Sequence, residues 1–117
     1  MPNNNDFVIE NGVLTKYTGK GEEKVTIPND VKTIGESAFS RCSSLTNITI
    51  PNSVKEIGDS AFSFCSSLTK IVIPNSVKEI GKNVFAGCNN LKNVTAPAKF
   101  KDTLLKNLKG IKFTDNT

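Results

Sequence analysis

Cys42-Ser43-Ser44-Leu45-Thr46-Asn47-Ile48-Thr49-Ile50-Pro51-Asn52-Ser53-Val54-Lys55-Glu56-Ile57-Gly58-Asp59-Ser60-Ala61-Phe62-Ser63-Phe64 is one full repeat unit, and residues 65–87 restate it with 16 of 23 positions identical. The same step of 23 relates Ile34, Ile57 and Ile80; Phe39, Phe62 and Phe85; Leu45, Leu68 and Leu91; and Pro28, Pro51, Pro74 and Pro97. Self-similarity at such a period is the mark of a stacked repeat architecture. Within the unit Ile48 and Ile50 alternate with Thr49, the period of a half-buried strand. Pro51 removes a backbone donor and stops that strand. Val54 and Ile57 then return to the interior from an irregular segment. Gly58 permits a tight bend, Ala61-Phe62 packs the far wall, and Cys65 opens the next coil.

One such coil cannot bury its own apolar face. Stacked coils can, with like residues forming ladders about 4.8 Å apart along a parallel sheet. The 23-residue period, with L-x-x-I-x-I-P followed by I-G-x-x-A-F-x-x-C, resembles the BspA-like class of bacterial leucine-rich repeats over roughly residues 22–101. The resemblance implies an α/β-type repeat horseshoe, a solenoid that is mostly β with an irregular convex side and a parallel sheet on its concave face. It also implies a protein-binding role, many members of the class being surface or secreted adhesins.

The ends depart from the repeat. Phe7–Glu10 and Val13–Tyr17 flank Asn11-Gly12, a strong hairpin signal, and this hairpin is expected to shield the edge of the first coil. After Pro97, Phe100, Leu104, Leu105 and Leu108 fall at helical spacing with Gly110 as a C′ stop. Ile111-Lys112-Phe113 reads as a final edge strand, 17 residues after Val94 rather than 23. The expected organisation is a single domain over 1–117, with a hairpin cap at 6–21, repeats at 22–97 and a helix-and-strand cap at 98–117.

A chain of 117 residues is one small domain, and its 37% hydrophobic and 22% charged composition suits a thin repeated column. Histidine and tryptophan are absent, so no Ser-His-Asp triad, Cys-His pair or His-bearing metal site can be assembled. No P-loop or dinucleotide fingerprint occurs, and no enzyme, metal or cofactor is expected. Cys42, Cys65 and Cys88, one per coil, read as a buried ladder at the turn into each strand rather than as zinc ligands. No apolar run is long enough to span a bilayer. Met1–Asp6 lacks the basic and apolar regions of a signal peptide. That favours the cytoplasm, whereas the resemblance allows a surface or secreted protein.

The net charge of +4 is uneven: residues 1–69 hold six basic and eight acidic side chains (net −2), residues 70–117 nine lysines against three acids (net +6). Outward strand positions form the ladders Lys24, Asn47, Lys70, Asn93 and Thr26, Thr49, Val72, Thr95, with Thr46, Thr69 and Lys92 beside them. Val72 is the one apolar member of its ladder, and Phe64 fills a slot held by Arg41 and Gly87 in adjacent coils. An exposed Phe among polar neighbours is either a binding anchor or a ring lying over the coil edge. The candidate partner-binding set is Thr46, Thr49, Phe64, Thr69, Lys70, Val72 and Lys92. Glu56 and Glu79 are expected to face solvent as partners of neighbouring lysines.

These features point to a monomeric, non-enzymatic module that binds a protein through its strand face. The alternative is an intracellular inhibitor or regulator, of a phage or mobile-element kind. It would act on a host protein or nucleoprotein complex through the basic end, Lys99, Lys101, Lys106 and Lys109. Nucleic acid is the lesser possibility, since arginine is nearly absent and no aromatic–lysine alternation marks a base-stacking surface.

Overall fold

The computed structural model describes residues 6–19, 21–106 and 108–117. The chain opens with β1 (Phe7–Glu10) and β2 (Val13–Tyr17), antiparallel about Asn11-Gly12. Asn11 and Gly12 have φ of 51° and 80°, the two successive positive values that a twisted two-residue hairpin requires. The coils then alternate longer and shorter strands: β3 (Lys24–Thr26), β4 (Thr33–Ile34), β5 (Asn47–Thr49), β6 (Glu56–Ile57), β7 (Lys70–Val72), β8 (Glu79–Ile80) and β9 (Asn93–Ala96). A 3-10 turn over Ala98–Phe100 leads into α1 (Lys101–Leu105), and β10 (Lys112–Asp115) closes the chain.

The L-T-x-I-x-I runs stack in parallel as expected. β3 pairs with β5, and β7 with β9, each in a register offset of 23 residues. The segment expected to be irregular is so over residues 51–55 but ends in a short strand. β4, β6 and β8 form a second parallel row, with Ile34, Ile57 and Ile80 in register. Strands of only two residues hold because the coils approach very closely there. Gly58 N–H donates to Ile34 O at 2.7 Å and Gly81 N–H to Ile57 O at 2.7 Å. Gly58 serves that approach rather than a left-handed bend, since a Cβ built on it would lie 2.8 Å from the Glu36 nitrogen. The left-handed positions fall elsewhere: Ser37, Ser60 and Asn83 at φ 57–58°, and Arg41, Phe64 and Gly87 at φ 59–76°.

The hairpin joins this second row, with Val13 and Leu14 beside Thr33 and Ile34. It therefore shields the short-strand edge and not the longer-strand edge at β3, which pairs only with β5 among the described residues.

Down the axis the Phe7, Tyr17, Phe39, Phe62 and Phe85 rings follow one another at centroid spacings of 5.2, 5.2, 5.3 and 6.0 Å. Leu45, Leu68 and Leu91 are buried alongside, as are Val54 and Val77. Each residue lost to solvent on one coil is covered by its counterpart on the next, so a narrow column becomes a continuous core.

The C-terminal cap is shorter than its apolar spacing predicts. α1 ends at Leu105, and Lys106 leaves the helix with ψ of 126°. Leu108 N–H still donates to Leu105 O at 2.9 Å, but Gly110, at φ +74°, lies beyond the helix and is not its stop. β10 pairs with β9 as Lys112–Asn93 and Phe113–Val94, an offset of 19 residues and not 17. A slip of two keeps the same faces inward, so Phe113 instead of Ile111 lies beside Val94.

Candidate functional site

The longer strands turn one face outward, with Lys24, Thr26, Thr49, Lys70, Val72 and Asn93 exposed on it. Two rows run across the coils. In the first, Lys24 adjoins Asn47, and Lys70 adjoins Asn93, which adjoins Lys112. In the second, Thr26 adjoins Thr49, and Val72 adjoins Thr95, which adjoins Thr114. The face exists because inward Val25, Ile48, Ile71 and Val94 are buried and the pleat sends alternate residues outward. Val72 is 54% exposed, the largest exposure of any big apolar side chain described.

The face is interrupted at its centre. β5 and β7 form no ladder, although β3–β5 and β7–β9 do. Thr46 N–H donates to Glu23 O, and Lys92 N–H to Thr69 O, at 2.8 Å, but the equivalent bond from Thr69 N–H to Thr46 O is stretched to 3.5 Å. A shallow groove of about 360 Å3 follows this seam, lined by Asn47, Ile48, Thr49, Ile50, Lys70, Ile71 and Val72.

The structure thus brings Thr49, Lys70 and Val72 together at one groove. Thr69 and Lys92 are exposed at the start of their strands. Thr46 is half-buried and its hydroxyl donates to Glu23 O at 3.0 Å, so it ties two coils together. Phe64 is not part of this group. It stands in the turn row, 49% exposed, with the Arg41 guanidinium 4.8 Å from its ring centroid. A Cβ on Gly87 would lie 2.4 Å from that ring, so the glycine leaves the space the ring occupies. Val72 and Phe64 therefore belong to two different rows of the coil. The expected offset put Lys112 beside Thr95 in the second row of the face; its true neighbour is Asn93, in the first.

At the basic end, Lys99, Lys101, Lys106 and Lys109 are all exposed. Two of them lie over rings of the cap: Lys99 Nζ is 5.1 Å from the Phe100 centroid and Lys101 Nζ 5.7 Å from that of Phe113. Asp115 sits nearby, its Oδ1 accepting from Ala98 N–H and Thr117 N–H. Hydrogen bonds from the Thr117 side chain and backbone hold its carboxyl below the usual range.

The cysteine ladder is present, but only two of its members are buried. Cys65 and Cys88 are enclosed, with Sγ atoms donating to Phe39 O at 3.2 Å and Phe62 O at 3.0 Å, while Cys42 is half-buried. A hydrogen bond with the Cys88 sulfur, and burial after it, push the Cys65 thiol far above the ordinary range. Glu56 and Glu79 are exposed and stand in register with each other along the second row. Among the described residues no three His, Cys, Asp or Glu side chains gather as a metal set, and no helix is long and apolar enough to cross a membrane.

Stacked coils with a longer parallel strand row, a second row of two-residue strands and tight turns between them define a leucine-rich-repeat type of β-solenoid. The BspA type leucine rich repeat region matches residues 16–116 in six copies, and the chain belongs to that family. Among solved structures it is similar to a leucine-rich repeat protein from Eubacterium ventriosum, at 33% identity and a TM-score of 0.71 over 85% of this chain. A second, from Bacteroides capillosus, shares 31% identity at a TM-score of 0.63 over 74% of this chain. A leucine rich cell surface protein from Faecalibacterium prausnitzii, at 22% identity and a TM-score of 0.66, shares the fold over 88% of this chain and 34% of its own. The chain spans 29% of the Eubacterium ventriosum protein's length and 63% of the Bacteroides capillosus one. No functionally curated protein matches the sequence.

Proposed function

We propose that this chain is a non-enzymatic protein-binding module that takes its partner on the exposed face of the longer strands. The observation that carries this reading is Val72, an apolar side chain left 54% exposed beside the central groove in a row otherwise made of threonine. A fold that buries every other isoleucine and valine of these strands has no packing use for it, and an apolar anchor ringed by hydroxyls and lysines is the composition of a contact centre with a polar rim. Thr49, Thr69, Lys70 and Lys92 supply that rim.

The test is affinity capture from bacterial cytosolic and cell-surface extracts with the wild-type chain and matched variants. A partner held by the wild type and lost with Val72→Lys supports the strand face. Loss with Phe64→Ala alone moves the contact to the turn row. Loss only when Lys99, Lys101, Lys106 and Lys109 become Glu moves it to the basic end. A partner indifferent to Val72→Lys overturns the reading.

A further inference from the structure

We propose that the strand face recognises an acidic, extended polypeptide segment, with a carboxylate at every third residue, laid along the solenoid axis. This rests on the strand-face reading above and names the chemistry of the partner. The outward row runs Lys24, Asn47, Lys70, Asn93, Lys112, the seam-crossing step from Asn47 to Lys70 keeping the 23-residue offset through the Thr69–Thr46 bond. A lysine therefore recurs on every second coil, with an asparagine amide between. The parallel row of Thr26, Thr49, Val72, Thr95 and Thr114 adds no charge. Neither row contains a carboxylate; Glu23 and Asp115 flank the strands at their two ends, and the Asp115 oxygen is engaged by Ala98 and Thr117.

The spacing selects the conformation of the ligand. Paired coils stack at about 4.8 Å, so Lys70 and Lys112, two paired steps apart through Asn93, recur at about 9.6 Å, whereas the step from Asn47 to Lys70 crosses the parted seam and is wider. A polyproline II segment rises about 3.1 Å per residue with three residues per turn, so its like-facing positions recur at about 9.3 Å. A β-strand places like-facing residues about 6.8 Å apart, and helical positions seven apart lie at about 10.5 Å, so neither matches the Lys70–Lys112 step as closely. Acidic residues three apart in an extended segment can meet Lys70 and Lys112 in turn, and a further one beyond the seam meets Lys24. The asparagines between them offer amide N–H donors to its carbonyls, which carry no internal hydrogen bonds in that conformation. Val72 and the groove receive one apolar side chain from the same segment.

The probe is a fluorescent peptide of repeated Glu-Pro-Pro triplets, titrated with the folded chain at low salt and mapped by amide chemical shifts. Binding is expected to perturb Lys24, Asn47, Lys70, Val72, Asn93 and Lys112, and to weaken as salt is added. It should fall at least about tenfold when Lys24, Lys70 and Lys112 become Glu, since paired rim charges govern both encounter and salt dependence. A Lys-Pro-Pro peptide should not bind. Equal binding of the Lys-Pro-Pro peptide, tighter binding of an oligothymidylate of equal length, shifts confined to Lys99–Lys109, or no binding of the acidic peptide overturns the proposal. If the captured partner depends on Val72 yet ignores the three lysine reversals, the strand-face reading stands and the acidic ligand falls.

Discussion

The Tyr17 ring stacks on Phe39 with centroids 5.2 Å apart and planes inclined by 23°. A residue of the opening hairpin thereby occupies the first rung of a ladder that Phe39, Phe62 and Phe85 continue through the coils. The hairpin is joined to the core by its side chains as well as by the bonds of β2 to β4.

That rung carries a phenol where the others carry phenyl. Tyr17 is 6% exposed, and its hydroxyl has no hydrogen-bond partner among the described residues. Burial, followed by the negative charges of Glu22 and Asp6, pushes its pKa up to about 12. Tyr17→Phe should therefore stabilise the fold by up to about 1 kcal/mol at neutral pH, by removing an unpaired buried polar group. The pH dependence has a definite sign. A folded-state pKa above the unfolded value of about 10 contributes stability that is complete below pH 10 and lost as pH rises through about 12. Urea melts between those limits should show wild-type stability falling more steeply with pH than that of Tyr17→Phe. Parallel slopes would show that the phenol is solvated.

Gly58 is the second point where one atom decides stability. A methyl group there would meet Glu36 N at 2.8 Å and Gly35 C at 3.0 Å, both backbone atoms that cannot swing aside. Gly58→Ala should cost about 1–3 kcal/mol through forced separation of the coils. Gly110→Ala is the control: it has open space around it and only its φ of +74° to strain, so it should cost about 1 kcal/mol. Thermal melts that rank the two the other way would contradict the close-approach role.

The residues that define the repeat were legible in the sequence because burial imposes a strict period on them. Phe62, Leu68, Ile71 and Ile73 fall where the alternation and the 23-residue step place them. The second row of strands was not legible: Glu56-Ile57 is too short to show an alternation, and its pairing depends on coil approach at Gly58 that composition does not reveal. The offset of β10 was missed for a related reason. Ile111 and Phe113 are both apolar and two apart, so either satisfies the period, and only the path through α1 selects Phe113 as the neighbour of Val94. Of the candidate site, Val72 stood out as a break in a threonine ladder, whereas the seam beside it left no mark in a sequence whose repeats agree on either side.

The seam makes a prediction about local opening. Thr69 N–H reaches Thr46 O at 3.5 Å, and Lys92 N–H reaches Thr69 O at 2.8 Å, although the two amides occupy the same place in successive coils. Native-state hydrogen exchange should find the Thr69 amide exchanging at least about tenfold faster than Lys92, since a long, poorly formed bond at a parted strand pair opens without global unfolding. Saturating the groove with a ligand should slow Thr69 more than Lys92. Equal protection of the two amides in the free chain would show the strand row to be continuous.

The three thiols should separate by reactivity. Only the thiolate attacks a disulfide reagent, so both access and pKa limit the rate. Cys42 is half-buried and lines a cavity together with Lys16, Arg41 and Ser43, and burial raises its pKa against the opposing pull of Lys16. Cys65 and Cys88 are 0% and 2% exposed and bonded to the carbonyls of Phe39 and Phe62. Native labelling with an aromatic disulfide should therefore modify one thiol, slowly, and Cys42→Ser should abolish that phase. Cys65 and Cys88 should react only at the rate of opening of the column, and their labelling should accelerate with urea in step with unfolding. Prompt modification of either one in the native chain would place that coil turn in solvent and remove it from the core.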